Sequence, residues 1–219
     1  MILDSIHISW RKGKGENRYL IGKLKRLASG FTFIYLKEGV EAAKKVGFIN
    51  YPDFPNVNFD VEYSGDLRGV FSLRLMPATR PDRENYLSFW DANNSTYDWF
   101  DELGFTQGRL ATDNFEFLAE FPYNVKGLRF VTDIASLSHH SLSIDQVSVN
   151  DKLKFELETN NPQDPDAVKV FKENNFIGYI KRGHTLFFKK ANPNRLQLTV
   201  KHIEKNGVVK QLYVSVLKT

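Results

Sequence analysis

The chain contains no cysteine, which excludes disulfide frameworks, thiolate metal sites and cysteine nucleophiles. It has no window near the roughly 18 consecutive apolar residues that a membrane-spanning helix requires, no internal repeat and no low-complexity segment. Catalytic signatures are missing as well: there is no phosphate-binding glycine loop, no nucleophile–base pair and no spacing typical of metal ligands. His139-His140 is the one histidine pair. Neighbours on a strand face opposite sides, and neither Asp133 nor Asp145 stands at ligand spacing, so the pair reads as exposed loop. Pro81-Asp82 with Glu84 lacks the downstream acid–x–Lys element of a nuclease, and Asp82 reads as a helix cap. The segment MILDSIHISWRKGKGE places apolar residues ahead of cations and has no small-residue cleavage site, the reverse of a secretory signal. These absences lead us to expect a non-enzymatic, cytoplasmic protein with no cofactor, no metal and no membrane association.

The 219 residues are 42% hydrophobic and 26% charged, ordinary proportions for one large or two small globular domains. Aromatic content is high, with 18 phenylalanines, most of which belong in cores. The net charge of +4 is unevenly spread. Residues 1–121 hold 15 Lys/Arg against 17 Asp/Glu, a net of −2, whereas residues 122–219 hold 15 against 9, a net of +6. A basic second half suggests a polyanionic partner. In the first half, Arg11–Lys14 and the group Lys23, Lys25 and Arg26 form a second cationic cluster that reads as solvated surface.

Residues 19–26 and 31–36 read as a hairpin around Ala28-Ser29-Gly30, and 38–46 as a short helix stopped by Gly47. Two helices follow between 82 and 103. Asp82 would cap the first. Ser95 with Asp98 resembles a capping box for the second, with Trp99, Phe100 and Leu103 on one face and Gly104 past its end. Residues 114–121 return to a strand. Beyond a short linker the pattern is β-rich: 127–132, 152–158 with Leu153, Phe155 and Leu157 inward, 167–171 and 176–180. A helix over about 182–191 and a hairpin around Asn206-Gly207 close the chain. Its last turn carries Lys189 and Lys190, which suit the helix dipole.

The stretch LKFELETNNPQDPDAVKVFKENNFIGYIKR (153–182) is the most informative. Its loop holds Asn161, Pro162 and Asp164 at fixed spacing, residues that also set ordinary turn dihedrals. Gly178 within a strand signals a bulge or a close backbone approach. Phe130 shares a strand face with Leu128 and is either core or platform, while Arg129 points the other way.

Three motifs in this half, GLRF at 127–130, NNPQDPDAVKV at 160–170 and IGYIKR at 177–182, resemble the HIRAN domain in order and spacing. The resemblance covers roughly 125–200. Residues 1–121, chiefly YLIGKLKRLASGFTFIYL and FSLRLMPATRPD, resemble the N-terminal subdomain of HipA-type kinases without the kinase core. HIRAN modules of fork-remodelling translocases are OB-like and clasp the 3′ end of single-stranded DNA. The resemblance therefore implies an α+β HipA N-terminal-like domain at 1–121 and a small, mainly β OB-like or SH3-like barrel with one helix at 125–219. It implies a DNA-binding set of Arg129, Phe130, Asn161, Gln163, Asp164, Tyr179, Lys181 and Arg182. Within it, Asp164 would accept a hydrogen bond from the 3′-hydroxyl, Tyr179 would make a strand-end contact and Arg182 would bind a phosphate; His184 stands beside that phosphate position. The pattern departs in one place, because Gln163 stands where DNA-clasping members carry an aromatic ring. The rival expectation is a protein-interaction or toxin–antitoxin-like accessory that docks a protein partner through residues 1–121.

Overall fold

The alternating apolar residues of the first strands and the aromatic load of the first half build one core, and the second half builds another. In a computed structural model, which describes residues 3–137, 142–161 and 164–219, the chain separates into units Met1–Glu120 and Phe121–Thr219. The His139-His140 pair and Gln163 lie outside the described residues.

The N-terminal unit contains β1 (Ser5–Trp10), β2 (Tyr19–Leu27), β3 (Gly30–Tyr35) and β4 (Phe115–Ala119). They form an open antiparallel sheet in the order β3-β2-β1-β4. Ile6 and Ile8 of β1 are fully buried, as are Phe33, Phe71 and Phe117. Phe33 stacks on Phe54 with ring centroids 4.5 Å apart. Four helices accompany the sheet: α1 (Lys37–Lys44), α2 (Leu67–Phe71), α3 (Arg83–Phe89) and α4 (Trp99–Thr106).

Two capping expectations are corrected. Asp82 sits at the cap position of α3 but makes no side-chain cap bond; Arg80 takes both of its carboxylate oxygens, at 2.9 and 2.8 Å. The box of α4 is Asp98 with Asp101, not Ser95 with Asp98. Aspartate caps as well as serine, and its position three residues later shifts the helix start. Gly104 lies inside α4 rather than beyond it. A Cβ there would come within 2.5 Å of Leu3 Cδ1 and 3.1 Å of the Ala119 Cβ, so close packing on the sheet, not helix termination, requires glycine.

The C-terminal unit contains β5 (Arg129–Ala135), β6 (Lys152–Glu158), β7 (Ala167–Lys172), β8 (Asn175–Ile180), α5 (Thr185–Lys190), β9 (Leu196–Asn206) and β10 (Val208–Lys218). Strand pairing runs β10-β5-β8-β7-β6-β9 and returns to β10. The expectation of an OB-like or SH3-like barrel is corrected here. The ring holds six antiparallel strands, not the five-stranded plan of an OB-fold. It consists of two sheets joined through β5 and β6. The β5–β8 seam is only Ile134↔Ile180 and Ala135↔Tyr179, and the β6–β9 seam only Lys152↔Thr199 and Leu153↔Leu198. The cause is the closing hairpin, whose strands are 11 residues each, long enough to form most of one sheet themselves. Leu157 is also corrected: Leu153 is buried, but Leu157 is 48% exposed, because β6 reaches past the covered interior at that end.

Candidate functional site

The polar loop between β6 and β7 is held by its own side chains. Asn161 Oδ1 accepts from the Asp164 amide at 3.1 Å, and Asn161 Nδ2 donates to Glu158 Oε2 at 2.7 Å. Asp164 Oδ1 accepts from the Asp166 amide at 3.0 Å. These are local turn bonds of the kind Asn and Asp form most readily. The other Asp164 oxygen, Oδ2, lies 3.9 Å from Arg182 Nε, an ion-pair distance beyond hydrogen-bond reach. Arg182 opens the 3-10 turn after β8, and its side chain is 47% exposed. The fold thus brings Asn161, Asp164 and Arg182 together.

Tyr179 joins them through a residue absent from the expected set. Its hydroxyl donates to Glu158 Oε2 at 3.0 Å, while Lys169 Nζ lies 2.5 Å from Glu158 Oε1. The Lys169 bond, followed by that of Asn161, holds the Glu158 carboxyl below its ordinary range, and Glu158 in turn raises Lys169. Partial burial, then the bond to Glu158, raises the Tyr179 phenol. Glu158 was legible in one respect: it ends the outward-facing row Lys154, Glu156, Glu158, three residues before Asn161.

Other expected residues lie elsewhere. Arg129 is exposed on β5 opposite Leu217. Phe130 is 0% exposed; it stacks on Phe121 at 3.8 Å and meets the edge of Phe187 at 5.0 Å. It is core and offers no face to a ligand. Lys181 is also 0% exposed and is ion-paired with Asp133, which accepts from Gln211 Nε2 at 3.1 Å as well. Buried and already paired, Lys181 is not presented to a phosphate. His184 is buried, its Nδ1 2.9 Å from Thr132 Oγ1. Lys189 pairs with Asp166. In the N-terminal unit the expected cationic cluster is answered by acids: Lys23 faces Glu120 at 2.6 Å, Lys25 faces Glu62 at 3.4 Å and Arg26 grips Asp98.

Among the described residues no group of three or more His, Cys, Asp or Glu could hold a metal ion, and no helix is long and apolar enough to cross a membrane.

An all-antiparallel ring with a self-braced polar loop beside an exposed arginine defines a small, mainly β module. A family model, the HIRAN domain, matches residues 123–203, so the C-terminal unit carries a HIRAN domain. Two solved structures are similar. The HIRAN domain of human HLTF is 20% identical, covering 40% of this chain and 74% of that one with a TM-score of 0.30. A protein from Lactobacillus plantarum is 14% identical, covering 43% and 96% with a TM-score of 0.33. No curated protein matches the chain.

Proposed function

We propose that the C-terminal unit binds nucleic acid, specifically single-stranded DNA at a free 3′ end. The observation that carries this reading is the pairing of Asp164 Oδ2 with the half-exposed Arg182, 3.9 Å apart. An acceptor and a cation side by side suit a terminal nucleotide, with its hydroxyl on the carboxylate and its phosphate on the guanidinium. A carboxylate repels a phosphodiester, so the same aspartate disfavours internal strand. Membership of the domain family and the +6 balance of residues 122–219 support the polyanionic partner.

The test is fluorescence anisotropy of the full chain with single-stranded, blunt, recessed and 3′-phosphorylated DNA. Arg182→Ala is expected to weaken binding roughly 10- to 150-fold, the worth of one charge-assisted hydrogen bond of roughly 1.5–3 kcal/mol. Asp164→Ala is expected to abolish the preference for a free hydroxyl. Equal affinity for blocked and free ends would sink end recognition, and no binding at low salt would sink the nucleic-acid reading.

The second reading is a protein-interaction role for the N-terminal unit, related to its HipA-like sequence. It is favoured by Leu73 and Ile49, large apolar side chains 83% and 76% exposed. Co-purification of a stoichiometric protein lost on Leu73→Asp, with DNA binding absent, would replace the first reading by this one.

A further inference from the structure

Gln163 leaves the expected site without a stacking ring, and Phe130 is buried, yet the outer face of the β7–β8 hairpin carries three rings in contact. Phe171 and Phe176 are direct cross-strand partners with centroids 5.7 Å apart at 64°. Phe176 and Tyr179 follow at 5.2 Å and 72°. All three are partly exposed, whereas Val168, Val170, Ile177 and Ile180 of the same strands are buried.

Strict alternation would send Phe176 and Tyr179, three residues apart, to opposite faces. The register shift between Val170 and Phe171 prevents this: Val170 pairs with Gly178, but Phe171 pairs with Phe176. An irregularity of this kind re-aims a side chain, and here it lines the rings into one strip. In neither ring contact are the planes parallel, so these contacts do not stack one ring on another. The strip runs from the hairpin turn to Tyr179, whose hydroxyl is fixed by Glu158, which also holds Asn161 of the binding loop. A cation flanks it: the exposed Lys154 is the cross-strand partner of Phe171, while Lys169, the partner of Tyr179, is held by Glu158.

We propose that this strip, centred on Phe176, is the base-stacking platform of the domain and takes the unstacked bases of a single strand leading away from the Asp164–Arg182 end site. The inference rests on the single-strand reading above. Rings with an exposed cation at their side suit bases joined by phosphates, whereas a purely apolar segment would make no use of Lys154.

The experiment uses the full chain and a single-stranded oligonucleotide carrying 2-aminopurine at successive positions from the 3′ end. Binding is expected to change 2-aminopurine fluorescence at positions beyond the terminal nucleotide. Phe176→Leu, which keeps apolar bulk but no aromatic face, is expected to lose that change and about tenfold in affinity. Phe176→Tyr is expected to keep both within about twofold. Asp164→Ala is expected to abolish end preference while retaining the fluorescence change. Wild-type affinity and signal in Phe176→Leu would overturn the platform while leaving end recognition standing. Equal loss in the leucine and tyrosine variants would overturn it as a packing effect. If blocked and free ends bind equally but Phe176→Leu still loses the signal, the end reading fails and the platform stands; absence of any binding overturns both.

Discussion

Glu158 organises the candidate site although it need not touch a ligand. Its carboxylate is met by Lys169, Asn161 and Tyr179, so one residue fixes both the loop and the strand that line the site. The sign of its linkage follows from the shifts. Lys169 lowers Glu158 in the folded chain below its ordinary 4.5, so the pair's contribution is present above that value and lost as pH falls through the folded one. Lys169 is raised above 10.5, and its contribution is present below that value and lost as pH climbs through the raised one. The pair is therefore intact between these limits. Carboxyl NMR titration is expected to place the Glu158 midpoint below 4.5, and Lys169→Ala is expected to move it up. An unmoved midpoint in that variant would remove Lys169 as the cause.

At the scale of the element, β8 shows what alternation does and does not reveal. Gly178 has φ +147°, and a Cβ built there would lie 2.6 Å from the Ala135 carbonyl oxygen and 2.5 Å from Ile134 Cγ2. The backbone that approaches is β5, at the short seam that joins the two sheets, so Gly178 serves the fold. Gly178→Ala is expected to destabilise the chain by about 1–3 kcal/mol through the positive φ alone, with the seam contact adding to it. Urea denaturation checks this, and a midpoint equal to wild type would refute it. Strands 152–158, 167–171 and 176–180 were legible because alternation is a local property. The half-exposure of Leu157 was not, because it depends on where the interior ends. Nor was the strip of Phe171, Phe176 and Tyr179, because it depends on a register shift that only pairing with β7 creates. The same limit explains the site residues. Asn161, Asp164 and Arg182 were expected together only through the resemblance of their motifs to the HIRAN domain, since loop chemistry alone reads as ordinary turn, whereas the burial of Phe130 and Lys181 follows from partners distant in sequence, Phe187 and Asp133.

For the molecule as a whole, charge is unevenly divided between the two units. The first 121 residues carry a net of −2 and the remainder a net of +6. In the N-terminal unit Arg26 is held by Asp98, Lys23 by Glu120, Arg74 by Asp113 and Arg83 by Glu102. Cations already matched to carboxylates gain little from a phosphate, because each new contact must displace an existing one. The proposed single-strand reading places phosphate contacts on the C-terminal unit, where the half-exposed Arg182 stands 3.9 Å from Asp164, beyond hydrogen-bond reach, and Lys154 is exposed beside the aromatic strip. Single-strand binding releases counterions with a log–log salt slope of about −0.7 per phosphate contact. Engagement of about three phosphates predicts a slope near −2 for the full chain, and residues 121–219 alone are expected to reproduce it. Arg182→Ala is expected to make the slope shallower by about 0.7, measured by anisotropy from low to physiological salt. A full-chain slope steeper than that of the shorter chain by a whole unit would show that the N-terminal unit contacts the strand as well, and the placing of phosphate contacts on the C-terminal unit alone would fall.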